Sequence, residues 1–169
     1  FALDTNGCTI RDTVAVVENA LPVVALGPDA TACGSVMLDA GNAGMNYLWN
    51  DNSTAQTLNA SATGTYSVVV TDPATTCANS DTIAVTINPL PTVALGADIT
   101  QCGGTALLDA GNAGMNFLWN DNSTAQTLTV TTTGTYSVTV TDPSTSCSNN
   151  DAIDVTINTI PTVALGADV

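Results

Sequence analysis

Carboxylates are the most abundant chemistry in this chain. Asp29, Asp39, Asp72 and Asp81 return as Asp98, Asp109, Asp142 and Asp151, at matched places in two stretches of near-identical sequence. Calcium takes about six to eight oxygen ligands, which Asp, Asn and backbone carbonyls can supply. The candidate ligands are Asp29, Asp72 and Asp81 with their counterparts Asp98, Asp142 and Asp151. The "DAGNAG" run at 39–44 offers loop oxygens without the spacing of an EF-hand. The same Asp and Asn residues would also be explained as turn formers on a lysine-free, soluble surface.

Thiols are the second possibility. Cysteines stand at 8, 33, 77, 102 and 147. Pairing within each repeat gives Cys33–Cys77 and Cys102–Cys147 and leaves Cys8 to a partner outside the segment. Pairing between repeats gives Cys8–Cys33 and Cys77–Cys102. The within-repeat pattern is the expected one, because the other must reach from one domain's loop to the far side of the next. Each such bridge would close a loop of about 45 residues and restrict the unfolded chain by roughly 4 kcal/mol. Paired cysteines at fixed spacing point to an oxidising exterior. Zinc is disfavoured, since the chain has no His and no CxxC.

The residues that are missing narrow the field. One basic residue, Arg11, faces fifteen acids, for a net charge of −14. Nucleic acid and anionic membranes need clustered Lys and Arg, so neither is an expected partner. Without His there is no Ser-His-Asp or Cys-His dyad, and without Lys no Schiff base or phosphate-gripping loop. Catalysis would have to run on carboxylates or a bound metal alone, and the expectation is a non-catalytic protein. No run of eighteen apolar residues is present, so direct membrane insertion is not expected.

These residues sit in a repeat. "LDAGNAGMNYLWNDNSTAQTL" at 38–58 is rewritten at 108–128 with one change, Tyr47 to Phe117. Aligning 21–89 with 90–159 gives about 49 identities in 69 positions. Residues 8–22 resemble the tail of a further unit and 160–169 the head of another. The expected organisation is therefore residues 1–21 as the end of a preceding repeat, 22–90 and 91–160 as whole repeats, and 161–169 as the first strand of a following one. Two whole units flanked by partial ones are expected to lie within a longer array.

The unit has the period of two that marks half-buried strands. Tyr136, Val138 and Val140 alternate with Ser137, Thr139 and Thr141, and Ile153, Val155 and Ile157 alternate with Ala152, Asp154 and Thr156. Met45, Tyr47 and Trp49 share a face, and Asp51-Asn52 can make a tight turn. Strands are predicted at 23–26, 35–40, 46–50, 54–60, 65–71 and 82–88. No helical periodicity competes, so the fold class is all-β, a tandem of antiparallel β-sandwiches.

Gly64-Thr65-Tyr66 through Asp72, with the upstream "YLW", the opening "VALGPDATACG" and the later Cys77 and Asp81, resembles the immunoglobulin-like (PKD-like) repeats of secreted Bacteroidetes surface proteins. The resemblance covers nearly the whole chain. "WNDNST" at 49–54 stands where the PKD pattern has "WDFGDG", so the match is to the broader immunoglobulin-like group. It implies an extracellular, cell-surface stalk or adhesin repeat, exported by a type IX system, whose partners are neighbouring repeats and other copies of a filament. Asp12-Thr13-Val14 and Asp81-Thr82-Ile83 fit the O-glycosylation pattern of that group, making Thr13 and Thr82 candidate modification sites; the third copy has Ala152 there. Thr is equally a good strand residue. The Asn-x-Ser/Thr triplets at Asn52, Asn59 and Asn122 are weaker candidates.

Trp49 and Trp119 could stack on sugars, but an immunoglobulin-like third strand usually buries its Trp, and Tyr66 and Tyr136 resemble the corner tyrosine of that fold. The sequence thus points to a structural segment of a filament or stalk, with calcium as an open cofactor. Its rivals are a carbohydrate- or protein-binding accessory module of a secreted enzyme, and a pilin-like subunit that polymerises by strand exchange.

Overall fold

The computed structural model describes residues 2–3, 9–10 and 13–163. Cys8, Asp12 and 164–169 lie outside the described residues, and with them the pairing expected of Cys8 and most of the expected next strand. Two short strands, β1 (Ala2–Leu3) and β2 (Thr9–Ile10), pair antiparallel. The first repeat then folds into β3 (Ala30–Cys33), β4 (Val36–Asp39), β5 (Asn46–Trp49), β6 (Thr57–Ala60), β7 (Gly64–Thr71) and β8 (Ala78–Asn88). The second gives β9 (Ile99–Cys102), β10 (Ala106–Asp109), β11 (Asn116–Trp119), β12 (Thr127–Val130), β13 (Gly134–Thr141) and β14 (Ser148–Asn158).

Each repeat builds a four-stranded and a two-stranded sheet. The orders are β3-β8-β7-β5 with β4-β6, and β9-β14-β13-β11 with β10-β12. All pairings given for these sheets are antiparallel except two: β3 runs parallel to β8, and β9 parallel to β14. In the second repeat the inward residues of both sheets meet. Ala106, Leu108, Leu128 and Val130 from the small sheet join Trp119, Val138, Val140, Ile153 and Val155 from the large one. This is an immunoglobulin-like β-sandwich, with its Trp on the third strand and its last strand held between the first and the fifth in the large sheet.

The alternation read from the sequence places the core. Val138, Val140, Ile153 and Val155 are buried, as are Val68, Val70, Ile83 and Val85 at the matching places. Burying these branched side chains, at about 1.5–3 kcal/mol each, is the main force holding the sheets together. The Asp51-Asn52 turn forms as expected: Asn52 takes φ 69°, and the Trp49 N–H donates to the Ser53 carbonyl at 2.9 Å.

The predicted strand at 23–26 is not one. Its backbone is tied by side chains instead of a ladder. Leu26 N–H donates to Asp81 Oδ2 at 2.8 Å, Asn79 donates to the Pro22 carbonyl at 2.9 Å, and Asn42 to the Val23 carbonyl at 2.8 Å. The true first strand of the sandwich is Ala30–Cys33, four small residues with little pattern to betray them.

By packing, the chain forms two compact units. Phe1–Asp29, Met37–Asn59 and Thr65–Ala84 make one; Ala30–Val36, Ala60–Gly64 and Val85–Val169 make the other. The second unit holds the whole second repeat together with β3, and so contains both Cys33 and Cys147.

Candidate functional site

The parallel pairing of first and last strands decides where the cysteines stand. In the β3–β8 register Cys33 lies opposite Asn88, the final residue of β8, and the Gly34 N–H donates to the Asn88 carbonyl at 2.9 Å. Here Gly34 has φ +73°, and a Cβ on it would meet Leu90 at 3.2 Å, so only glycine lets the departing chain cross so closely. Cys102 repeats the arrangement opposite Asn158, with Gly103 donating to the Asn158 carbonyl at 2.8 Å and Ile160 crossing over it. Both cysteines therefore mark the end at which the chain leaves its repeat.

Cys77 and Cys147 stand at the opposite end, in the turn before the last strand. Asp72 N–H donates to the Cys77 carbonyl at 2.9 Å and Thr76 N–H to the Asp72 carbonyl at 2.8 Å; Asp142, Ser146 and Cys147 repeat both bonds at the same lengths. The arriving chain passes this end, since Asn79 and Asn149 hold the carbonyls of Pro22 and Pro91.

The expected pairs Cys33–Cys77 and Cys102–Cys147 do not form. Between the two members of each lies the whole 11-residue last strand, a span of about 36 Å at roughly 3.3 Å per residue, whereas a disulfide needs Cα atoms within about 7 Å. Nor is Cys77 joined to Cys102. The bond made is Cys33–Cys147, with Cα atoms 5.5 Å apart across 114 residues of sequence. It links the departure end of the first repeat to the arrival end of the second, which the three residues Pro89, Leu90 and Pro91 separate along the chain. Cys77 and Cys102 remain free thiols.

The carboxylates proposed for calcium are spread through each repeat as local ties. Asp81 and Asp151 accept from the Leu26 and Leu95 N–H groups at 2.8 Å. Asp29 accepts from Ala84 N–H at 3.0 Å and Asp98 from Asp154 N–H at 3.1 Å. Asp72 and Asp142 cap their turns, accepting from Ala74 and Ser144 N–H at 2.8 Å. Among the described residues no three Asp, Glu, Cys or His side chains gather where a metal could sit. The hydrogen bonds favour the ionised forms. Leu26 N–H, then Thr82 N–H, lowers the Asp81 pKa; the Ala74 N–H, then the Thr75 hydroxyl, lowers that of Asp72; and the Ser144 hydroxyl and N–H lower that of Asp142. Asp39 and Asp109 are lowered by the Gln56 and Gln126 amides and by the N–H groups of Gly41 and Gly111.

Thr13 and Thr82 are both exposed, Thr82 on the outer face of β8, so each is open to modification. Trp49 and Trp119 are not platforms. Each is 1% exposed, and its indole N–H donates at 2.8 Å to the carbonyl of Ala55 or Ala125. Tyr136 is a corner tyrosine, donating to the Thr132 carbonyl at 2.8 Å. Shallow depressions of about 150 and 230 Å³ flank Asp154 in the second repeat, smaller than the roughly 300–1,000 Å³ of small-molecule sites. Sequence reasoning missed the Asn ties at Asn42, Asn79, Asn112 and Asn149, whose signal was that all four recur at matched positions.

No protein-family model and no curated protein matches the chain. Solved structures similar to it are tandems of immunoglobulin-like domains. A mutated variant of a three-immunoglobulin-domain stretch of titin is 13% identical over 84% of this chain and 67% of that one, with a TM-score of 0.34. Extracellular domains 3–5 of Drosophila OTK are 14% identical over 78% of this chain and 59% of that one, at 0.35. A two-domain titin immunoglobulin tandem is 12% identical over 79% of this chain and 94% of that one, at 0.32. The fold stands on its own strands.

Proposed function

We propose that this chain is a structural segment of an extracellular filament or cell-surface adhesin stalk, a non-catalytic stack of sandwiches of the kind secreted by Bacteroidetes. One observation carries the reading. The whole set of ties between the arriving chain and its repeat is written twice: Asn79 and Asn149, Asn42 and Asn112, Asp81 and Asp151 make the same bonds. Such a unit is built to be stacked, each copy contacting its neighbours. Val14 and Val16 align with Ile83 and Val85, which are 2% exposed, yet are themselves 85% and 83% exposed.

Electron microscopy of the intact native protein, with and without a calcium chelator, tests this. The expected image is a beaded thread with a repeat near the length of the last strand, about 36 Å, unchanged by the chelator. A compact particle carrying two or three beads beside a larger body would overturn the stalk and favour an accessory module of an enzyme. The exposed Val14 and Val16 also suit a pilin-like strand exchange, in which polymers would form between copies under reducing conditions.

A further inference from the structure

Cys77 and Cys102 occupy the two positions that Cys147 and Cys33 occupy in the existing bond. The match extends to the backbone that holds them. Thr76 and Ser146, just before the turn cysteines, have φ 60° and 61°, and the hydrogen bonds around the two turns have the same lengths. At the other end, β3 and β9 hold one register: Cys33 opposite Asn88, Cys102 opposite Asn158. What differs is cover at the turn: Cys147 is fully buried beneath its bond, whereas Cys77 in the same turn is half-buried; Cys33 and Cys102 are both exposed. Both halves of the bonding geometry are thus built twice, and among the described residues one copy of each has no bonded opposite.

We infer that a second copy of this chain supplies it: Cys102 of one copy bonds Cys77 of the next, and every junction between successive repeats carries the disulfide seen at Cys33–Cys147. The chemistry needs a two-electron oxidant, and a small-molecule disulfide suffices. The Cys102 thiolate attacks it, forming a mixed disulfide and expelling one thiolate. The Cys77 thiolate of the second copy then attacks the Cys102 sulfur and expels the other. Two cysteine thiols become one disulfide, and the small disulfide is reduced to two thiols, which take up the two protons. The bond is directional, because a departure-end cysteine meets only an arrival-end one, so the copies join head to tail.

The test uses the full chain with Cys8→Ser, which leaves Cys33–Cys147 intact and only Cys77 and Cys102 free. Isotopically heavy and light copies are mixed, oxidised glutathione is added, and the products are resolved on non-reducing gels and by peptide mass spectrometry. The expected result is a ladder of multimers whose cross-linked peptides join Cys77 to Cys102 and include heavy–light pairs. Adding Cys77→Ser or Cys102→Ser stops growth of the ladder. Four outcomes would overturn the inference: monomers with both thiols free or capped by glutathione; a Cys77–Cys102 bond found only within single copies; like-with-like bonds in the proportions of random collision; or cross-links that recruit Cys33 or Cys147. A ladder that persists under full reduction would instead belong to strand exchange, so the two modes of assembly are separable.

Discussion

The hydroxyl of Tyr47 lies 2.6 Å from the carbonyl oxygen of Asn42 and 2.9 Å from that of Gly41, closing the loop between β4 and β5. Phe117, the one residue changed in the copied stretch, has no hydroxyl, although Asn112 keeps the same φ of 54° as Asn42. A net gain of about 0.5–1.5 kcal/mol is expected from such a bond. Tyr47→Phe should destabilise the first repeat by that amount and Phe117→Tyr stabilise the second. Urea unfolding of the two variants checks both signs.

Trp119 fills the centre of the second core and donates its indole N–H to the Ala125 carbonyl. Trp119→Ala should cost about 3–5 kcal/mol through the cavity it leaves. Trp119→Phe, which keeps most of the volume, should cost less and leave the Ala125 carbonyl without its donor. Loss of near-ultraviolet circular dichroism together with a lowered denaturant midpoint is the readout.

Thr76 is β-branched yet holds a left-handed φ of 60°, a conformation that costs about 1–3 kcal/mol in such a residue. Thr76→Gly should therefore raise stability, and Ser146→Gly should do so less, Ser being unbranched. A calorimetric midpoint that falls in Thr76→Gly would show that the turn is not strained.

Acid should act on Asp81. Its folded pKa is lowered from 3.8 by the Leu26 and Thr82 N–H groups, so its charged form contributes stability that is complete above 3.8 and is lost as the pH falls below that value. Asp81→Asn should be less stable than the parent at neutral pH, and the gap should close under acid. Melting curves at matched ionic strength, compared as a difference between the two proteins, isolate this group from relief of the net charge of −14.

Reduction of Cys33–Cys147 releases a loop with a sequence separation of 114, a change the chain-entropy account values at about 4–5 kcal/mol. Non-reducing peptide maps of the native chain should show this bond and neither Cys33–Cys77 nor Cys102–Cys147.

What could be read beforehand was local. Val138 and Val140, Ile153 and Val155 announce their burial by alternation, and Trp119 its place in the core, because the pleat itself has a period of two. Strand 23–26 was misjudged because "VVAL" is a good strand sequence whose partners turn out to be the side chains of Asn42, Asn79 and Asp81. The cysteines were misjudged for a non-local reason. Their pairing depends on β3 lying parallel to β8, and no window of sequence around "ATAC" shows which strand it will join or in which direction.

That parallel pair also sets how the sandwich bears a load. The first paired strand enters beside the last, so tension on the two ends of a repeat drags β3 and β8, or β9 and β14, past one another along their length. The ladder bonds between Ala30–Cys33 and the end of β8 then share the force and must rupture together, instead of opening one at a time like a zip. A thread of such units would hold its length under pull until whole strand pairs gave way.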